Sequence, residues 1–136
     1  MISVEYAAGF FDGEGCINFS SDRYGKPFIR ILVVNTDVSV LELFKDRWQG
    51  NITANKRHKD NWKQSYTWRL SHAKAYDFIR EIQPFLVVKK RQSQFALDFS
   101  QLTPSKGNRW TEESLQEATK LIDALRKANK KGVEVL

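Results

Sequence analysis

Cysteine is nearly absent from this 136-residue chain: Cys16 stands alone. A lone thiol excludes an intramolecular disulfide. With only His58 and His72 beside it, the usual multi-cysteine and Cys/His zinc arrangements are excluded too. A reducing intracellular compartment is expected, either cytoplasm or the interior of an organelle. Long apolar runs are also missing, and none approaches the roughly 20 residues needed to span a bilayer. The opening segment, with Glu5 and interrupting glycines, reads as no secretory signal, and no membrane partner is expected. Internal repeats are not evident. What is present is a hydrophobic content of 41% with 12% aromatics, too rich for a disordered chain and sufficient for the core of one domain.

The formal net charge is +6, from 22 Lys and Arg against 16 Asp and Glu. That excess is modest, so its distribution is more informative. Between Lys45 and Arg69 there are seven basic residues and two Asp, and Lys89, Lys90 and Arg91 form a second cluster. From Glu112 onward acids and bases mix evenly, as on a solvated helix. The positive field is thus expected on one part of the surface, as binding to a polyanion requires.

Residues 3 to 14 read as a helix capped by Ser3. Strands are expected over residues 16 to 20 and up to about Val34, with Ile29, Ile31 and Val33 inward. Asp37 caps a helix carrying Val40, Leu41, Phe44 and Trp48. Strands at 52 to 56 and 65 to 71 follow, then a helix capped by Ser71 and stopped by Pro84. A further helix is expected from about Leu86 to Leu102, with Phe95, Phe99 and Leu102 buried. A short linker and a last helix capped by Thr111 complete the chain. The order α-β-β-α-β-β-α plus C-terminal helices predicts an α+β fold with a four-stranded antiparallel sheet and helices on one face. The reading places a core domain over 1–102 and, packed on it, a linker and C-terminal helix over 103–136.

The most informative segment is Ala7-Ala8-Gly9-Phe10-Phe11-Asp12-Gly13-Glu14-Gly15. Asp12 and Glu14 straddle the C-terminal end of a helix, where the dipole disfavours carboxylates. Binding a divalent cation is a reason to place them there, and Mg²⁺ seeks carboxylate and water oxygens. Gly9 and Gly13 lie four apart on one face, where glycine costs about 1 kcal/mol relative to alanine. Close approach of a second helix is the expected compensation. A homodimer through Ala8, Gly9, Asp12 and Gly13 would bring two Glu14 side chains together.

This segment resembles the signature of the LAGLIDADG homing endonucleases, with Ala7 at the leucine position and Glu14 in place of the final aspartate. The resemblance extends over roughly residues 3 to 102, and the presence of one such segment is similar to the single-motif, homodimeric members. It implies a saddle-shaped sheet and hydrolysis of both strands of a long, pseudo-palindromic duplex of about 20 base pairs. It also implies metal ligation by Glu14 and the Gly13 carbonyl, and a structural role for Asp12 in the helix pair. Lys89, in Ile82-Gln83-Pro84-Phe85-Leu86-Val87-Val88-Lys89, resembles a lysine near the metal–water network, and Asn35 stands where a solvent-holding polar group is common. Asp37 matches an acid at the start of the next helix. Ser39 stands where some relatives carry an assisting basic residue. Mg²⁺ is the expected cofactor, with Mn²⁺ substituting and Ca²⁺ supporting binding without cleavage.

Strand alternation gives the expected DNA-facing set: Asn18, Ser20, Lys26, Phe28, Arg30, Asn51, Thr53, Asn55, Arg57, Ser65, Thr67 and Arg69. Arg and Lys can donate to guanine, and Asn can bond adenine bidentately. Lys56, Lys59, Lys63 and Lys90 are expected on phosphates. Two rival readings remain open. One is a non-cleaving nucleic-acid-binding protein on the same scaffold, an RNA-splicing maturase or a DNA-binding regulator. The other is an interaction domain whose charge is incidental.

Overall fold

The structure is a computed structural model and describes residues 1–104 and 109–130. Ser3 begins the chain's first helix, α1 (Val4–Glu14), its hydroxyl accepting from the Tyr6 amide at 3.1 Å. Strands β1 (Gly15–Ser21) and β2 (Pro27–Asn35) form an antiparallel hairpin in which Gly15 faces Val33 and Asn18 faces Arg30. Asp37 caps α2 (Val38–Trp48) by accepting from the Ser39 amide at 3.0 Å. Strands β3 (Asn51–Ala54) and β4 (Tyr66–Ser71) complete the sheet, whose order is β1-β2-β4-β3. Then come α3 (His72–Ile82), a 3-10 turn over Gln83–Phe85, α4 (Lys90–Leu102) and α5 (Glu112–Asn129). Every pairing in the sheet is antiparallel, and the architecture is the expected α+β arrangement.

The core lies between one sheet face and the helices. Ile29, Ile31 and Val33 of β2 are buried, as period-two alternation requires, together with Trp68 and Leu70 of β4. Phe78 of α3 gathers the aromatics: its ring meets Phe11 and Trp68 edge-on at 5.4 Å each and Trp48 at 4.7 Å. Such edge-to-face pairs add to area burial. Between α2 and β3 the chain reverses through Gln49 (φ 68) and Gly50 (φ 89). A Cβ at Gly50 would lie 2.4 Å from the Arg69 carbonyl oxygen, so this turn requires glycine. The Gln49 carbonyl accepts from the Trp68 indole at 2.7 Å, which fixes the turn to the sheet.

Two expected boundaries move, and one expected cap makes no bond. Helix α4 begins at Lys90 rather than near Leu86, because the amides of Val87 and Lys89 donate to the Asp12 carboxylate instead of entering a helix. Strand β3 ends at Ala54 rather than Lys56. Beyond it one backbone bond persists, from the Asn55 N–H to the Ser65 carbonyl at 2.9 Å, and the Gln64 side-chain amide also donates to the carbonyls of Asn55 and Ser65, at 2.7 and 2.8 Å. Ser71 precedes α3, but its hydroxyl makes no capping bond.

Helix α5 carries a capping box, in which Thr111 accepts from the Ser114 amide at 3.0 Å and Ser114 accepts from the Thr111 amide at 3.1 Å. Ala118 and Leu125 are buried, and the helix packs on α4 and on edge strand β1. There the Asn129 amide donates to the Ile17 carbonyl at 2.8 Å, satisfying an edge-strand acceptor. Leu115, in the first turns of the helix, is 40% exposed. No described helix is long and apolar enough to cross a membrane.

Candidate functional site

The helical period sorts the signature residues into two sets. Ala7, Ala8 and Phe11 are fully buried against the chain's own core. Gly9 and Gly13 are exposed, and a Cβ added at either meets nothing within 4 Å. Ala8, grouped by sequence with the free face, therefore belongs to the inner one: at 100° per residue it sits beside Phe11 and Ala7. The outer glycine face is uncovered by the described residues.

Asp12 has a task inside the chain. Its carboxylate accepts from the amides of Val87 at 2.7 Å and Lys89 at 3.0 Å. The Lys89 ammonium in turn donates to the Asp12 carbonyl oxygen at 2.8 Å. A cation at the C-terminal end of α1 is where the helix dipole favours one, and it offsets the two acids there. The result is a reciprocal clamp that fixes Lys89 to Asp12, the residue two positions before Glu14 in the chain. Glu14 itself is exposed. Gly15, which follows, packs so closely on Phe11 that a Cβ would meet that ring at 2.2 Å. The bend from α1 into β1 thereby delivers Glu14 to the rim of the sheet.

Asn35 closes β2, and its side-chain oxygen accepts from the Asp37 amide at 2.8 Å. This Asx turn leads into α2 and commits the oxygen, leaving the amide donors as the group Asn35 can present. Asp37 is held below the usual carboxylate range by its bonds from the Ser39 hydroxyl and amide, with a smaller contribution from Lys63. Ser39 is thus engaged in the helix cap, at 2.5 Å from Asp37 Oδ1.

The acid donor set suits a hard divalent cation, since a carboxylate and a neighbouring carbonyl are oxygen ligands. It is also incomplete. Among the described residues no group of three or more His, Cys, Asp or Glu side chains could enclose a metal. One Glu14 and one Gly13 carbonyl leave most of an octahedron to water, phosphate oxygens or a second copy of the same helix end.

On the sheet face away from the helices, Asn18, Ser20, Phe28 and Arg30 lie on adjacent strands in register. Arg30 Nε donates to the Asn18 side-chain oxygen at 3.3 Å, and Arg69 Nη1 donates to the Thr53 hydroxyl at 2.9 Å. Phe28 is half-buried and stacks on His72 at 4.7 Å. Asn51, Thr53 and Lys26 are exposed. Thr67 is not: it is 4% exposed and its hydroxyl donates to the Asn55 side-chain oxygen at 2.8 Å. The Asn55 amide donates to the Ser65 hydroxyl at 3.0 Å. Thr67, Asn55 and Ser65 therefore brace the short β3–β4 edge, and crowding between neighbouring strands explains why alternation alone misassigned Thr67. Arg57 Nη1 reaches the carbonyls of Asp60 and Trp62, both at 3.3 Å, and so stiffens the hairpin turn.

Two features escaped sequence reading. The Asp12–Lys89 clamp joins residues 77 apart, for which no local pattern exists. Cys16, half-buried on the outer face of β1, lies near Asn18, with its amide nitrogen 3.9 Å from the sulfur. Burial pushes the thiol above its ordinary range, and Lys89 opposes the shift.

This fold has solved counterparts. No family model matches the chain, and no curated protein matches it by sequence. The structure does match homing endonucleases, and its fold is that of the single-motif LAGLIDADG enzymes. I-CvuI, in complex with its target in the presence of calcium, superimposes with a TM-score of 0.75 at 19% identity, covering 98% of this chain and 86% of that one. The archaeal intron-encoded homing endonuclease I-Vdi141I, complexed with DNA, gives 0.74 at 22% identity, covering 98% and 87%. I-TnaI gives 0.71 at 20% identity, covering 96% and 90%. Against the LAGLIDADG meganuclease I-AabMI, bound to uncleaved DNA, this chain spans 44% of the other chain's length.

Proposed function

We propose that this chain is one subunit of a homodimeric, metal-dependent endonuclease that cuts both strands of a specific DNA duplex. The observation that carries the reading is the junction of α1 and β1. Glu14, an exposed carboxylate, ends the helix whose last turn holds the Lys89 ammonium through the Asp12 carbonyl oxygen, two residues before it. This junction opens onto a sheet face bearing Arg30, Arg69 and Asn18. The DNA complexes of I-CvuI and I-Vdi141I, which share the fold, support duplex DNA as the partner.

In this reading Glu14, with the Gly13 carbonyl, would hold Mg²⁺, and a second copy of the chain would supply the matching pair. Such a metal would supply a water of lowered pKa and stabilisation of charge at the phosphate and the leaving 3′ oxygen. Lys89 contributes positive charge to the developing transition state. Its bond to the Asp12 carbonyl fixes its position, so little reorganisation accompanies reaction. Asn35 orients solvent through its amide donors. The sheet binds the major groove, and Lys56, Lys59, Lys63 and Lys90 contact phosphates.

Glu14→Gln keeps the shape of the side chain and removes its charge. With duplexes from a randomised library, the wild-type chain is expected to cut in magnesium. The variant should retain affinity yet lose cleavage by a factor of about 10²–10³, the range expected when a main electrostatic group is removed. Cleavage by the variant at the wild-type rate would overturn the role of Glu14. Duplex binding without cleavage by the wild type would favour the non-cleaving scaffold protein.

A further inference from the structure

The outer face of β2 is unusual for a surface that contacts nucleic acid. From the Glu14 end outward it presents Val34, Leu32, Arg30 and Phe28. Val34 is 43% exposed and Leu32 is half-buried, beside Cys16 on β1 and Arg69 on β4. The two positions nearest the acid are therefore aliphatic, on an interior strand of the sheet. Solvated sheet faces place polar residues at such positions. Arg30, the next residue outward, donates from Nε to the Asn18 side-chain oxygen at 3.3 Å, so that bond uses Nε and not the Nη groups.

We infer that the chain reads bases nearest its catalytic end through apolar contact of Val34 and Leu32 with thymine 5-methyl groups, followed outward by a guanine read by Arg30. This inference rests on the proposed binding of duplex DNA. In the major groove only thymine carries a methyl group, and only guanine offers the paired O6 and N7 acceptors that suit a guanidinium. Side chains two apart on a strand are separated by about 6.6 Å, so successive readers address positions about two base pairs apart. Asn55, whose amide and oxygen are bonded to Ser65 and Thr67, acts as a brace and adds no adenine preference.

The test begins with duplexes recovered from a randomised library by the full-length wild-type chain. Each half-site is expected to carry thymine at the two inner positions and guanine beyond them. Replacing those thymines by deoxyuridine removes only the methyl group. Affinity should fall about fourfold per site, the equivalent of burying one methyl-sized group. Leu32→Ser and Val34→Ser, with melting curves to verify folding, should each abolish the sensitivity at one position. Equal affinity for the thymine and deoxyuridine duplexes would overturn the inference while leaving the nuclease reading intact. Recovery of no duplex at all would overturn both. Because the deoxyuridine comparison uses unaltered protein, it holds even where a serine variant fails to fold.

Discussion

Removing the Asp12 carboxylate should loosen the molecule where its chemistry is assembled. In Asp12→Ala the amides of Val87 and Lys89 lose their acceptor. A hydrogen bond to a charged group contributes about 1.5–3 kcal/mol when shielded from solvent. The Lys89 bond is partly buried and falls near the lower part of that range. The Val87 bond is exposed, so water replaces much of it and about 0.5 kcal/mol is a fair allowance. The total is about 2–3 kcal/mol. For a chain of this length each kcal/mol moves the melting temperature by about 3–5 °C, so a fall of about 6–15 °C is expected by circular dichroism. Asp12→Asn keeps a neutral acceptor and should lose about half as much. Hydrogen exchange adds a local readout, because protection of the Val87 and Lys89 amides should disappear while α2 is unaffected. A melting temperature within 1 °C of wild type, with both amides still protected, would refute the clamp.

Other perturbations probe separate parts of the account. A Cβ at Gly9 meets nothing within 4 Å among the described residues, so in Gly9→Leu the monomer fold should persist while the proposed dimer dissociates. Sedimentation showing an unchanged dimer would remove the glycine face from the interface. The Cys16 thiol is raised by burial, so less thiolate exists at a given pH than for a free cysteine. Alkylation by iodoacetamide at pH 8 should therefore be slower than for glutathione, and its rate should keep rising at higher pH. Faster labelling than glutathione would contradict the burial argument.

The parts of the fold written locally were legible in the sequence. Ser3, Asp37 and Thr111 announce helix starts because a cap involves residues two or three apart. Period-two burial placed Ile29, Ile31 and Val33 in the core. The nine-residue segment pointed to Glu14 because acids at a helix C-terminus oppose the dipole and so need another reason to be there. Contacts between distant segments were not legible. Nothing near Val87 signals that its amide faces Asp12, so the start of α4 was set too early. Ala8 was assigned to the free face because small residues suit both an intimate helix contact and a tight core, and composition does not separate the two. Thr67 alternates like an outward residue, yet it is buried and bonded to Asn55, just past the end of β3.

The central claim concerns two Glu14 carboxylates sharing divalent ions over a phosphate. Manganese-soaked crystals of the complex with a selected duplex test it through anomalous scattering. The account predicts anomalous peaks about 2.1 Å from Glu14 oxygens of both subunits, against the scissile phosphates. Manganese bound elsewhere, with the Glu14 side chains directed away from the DNA backbone, would contradict it.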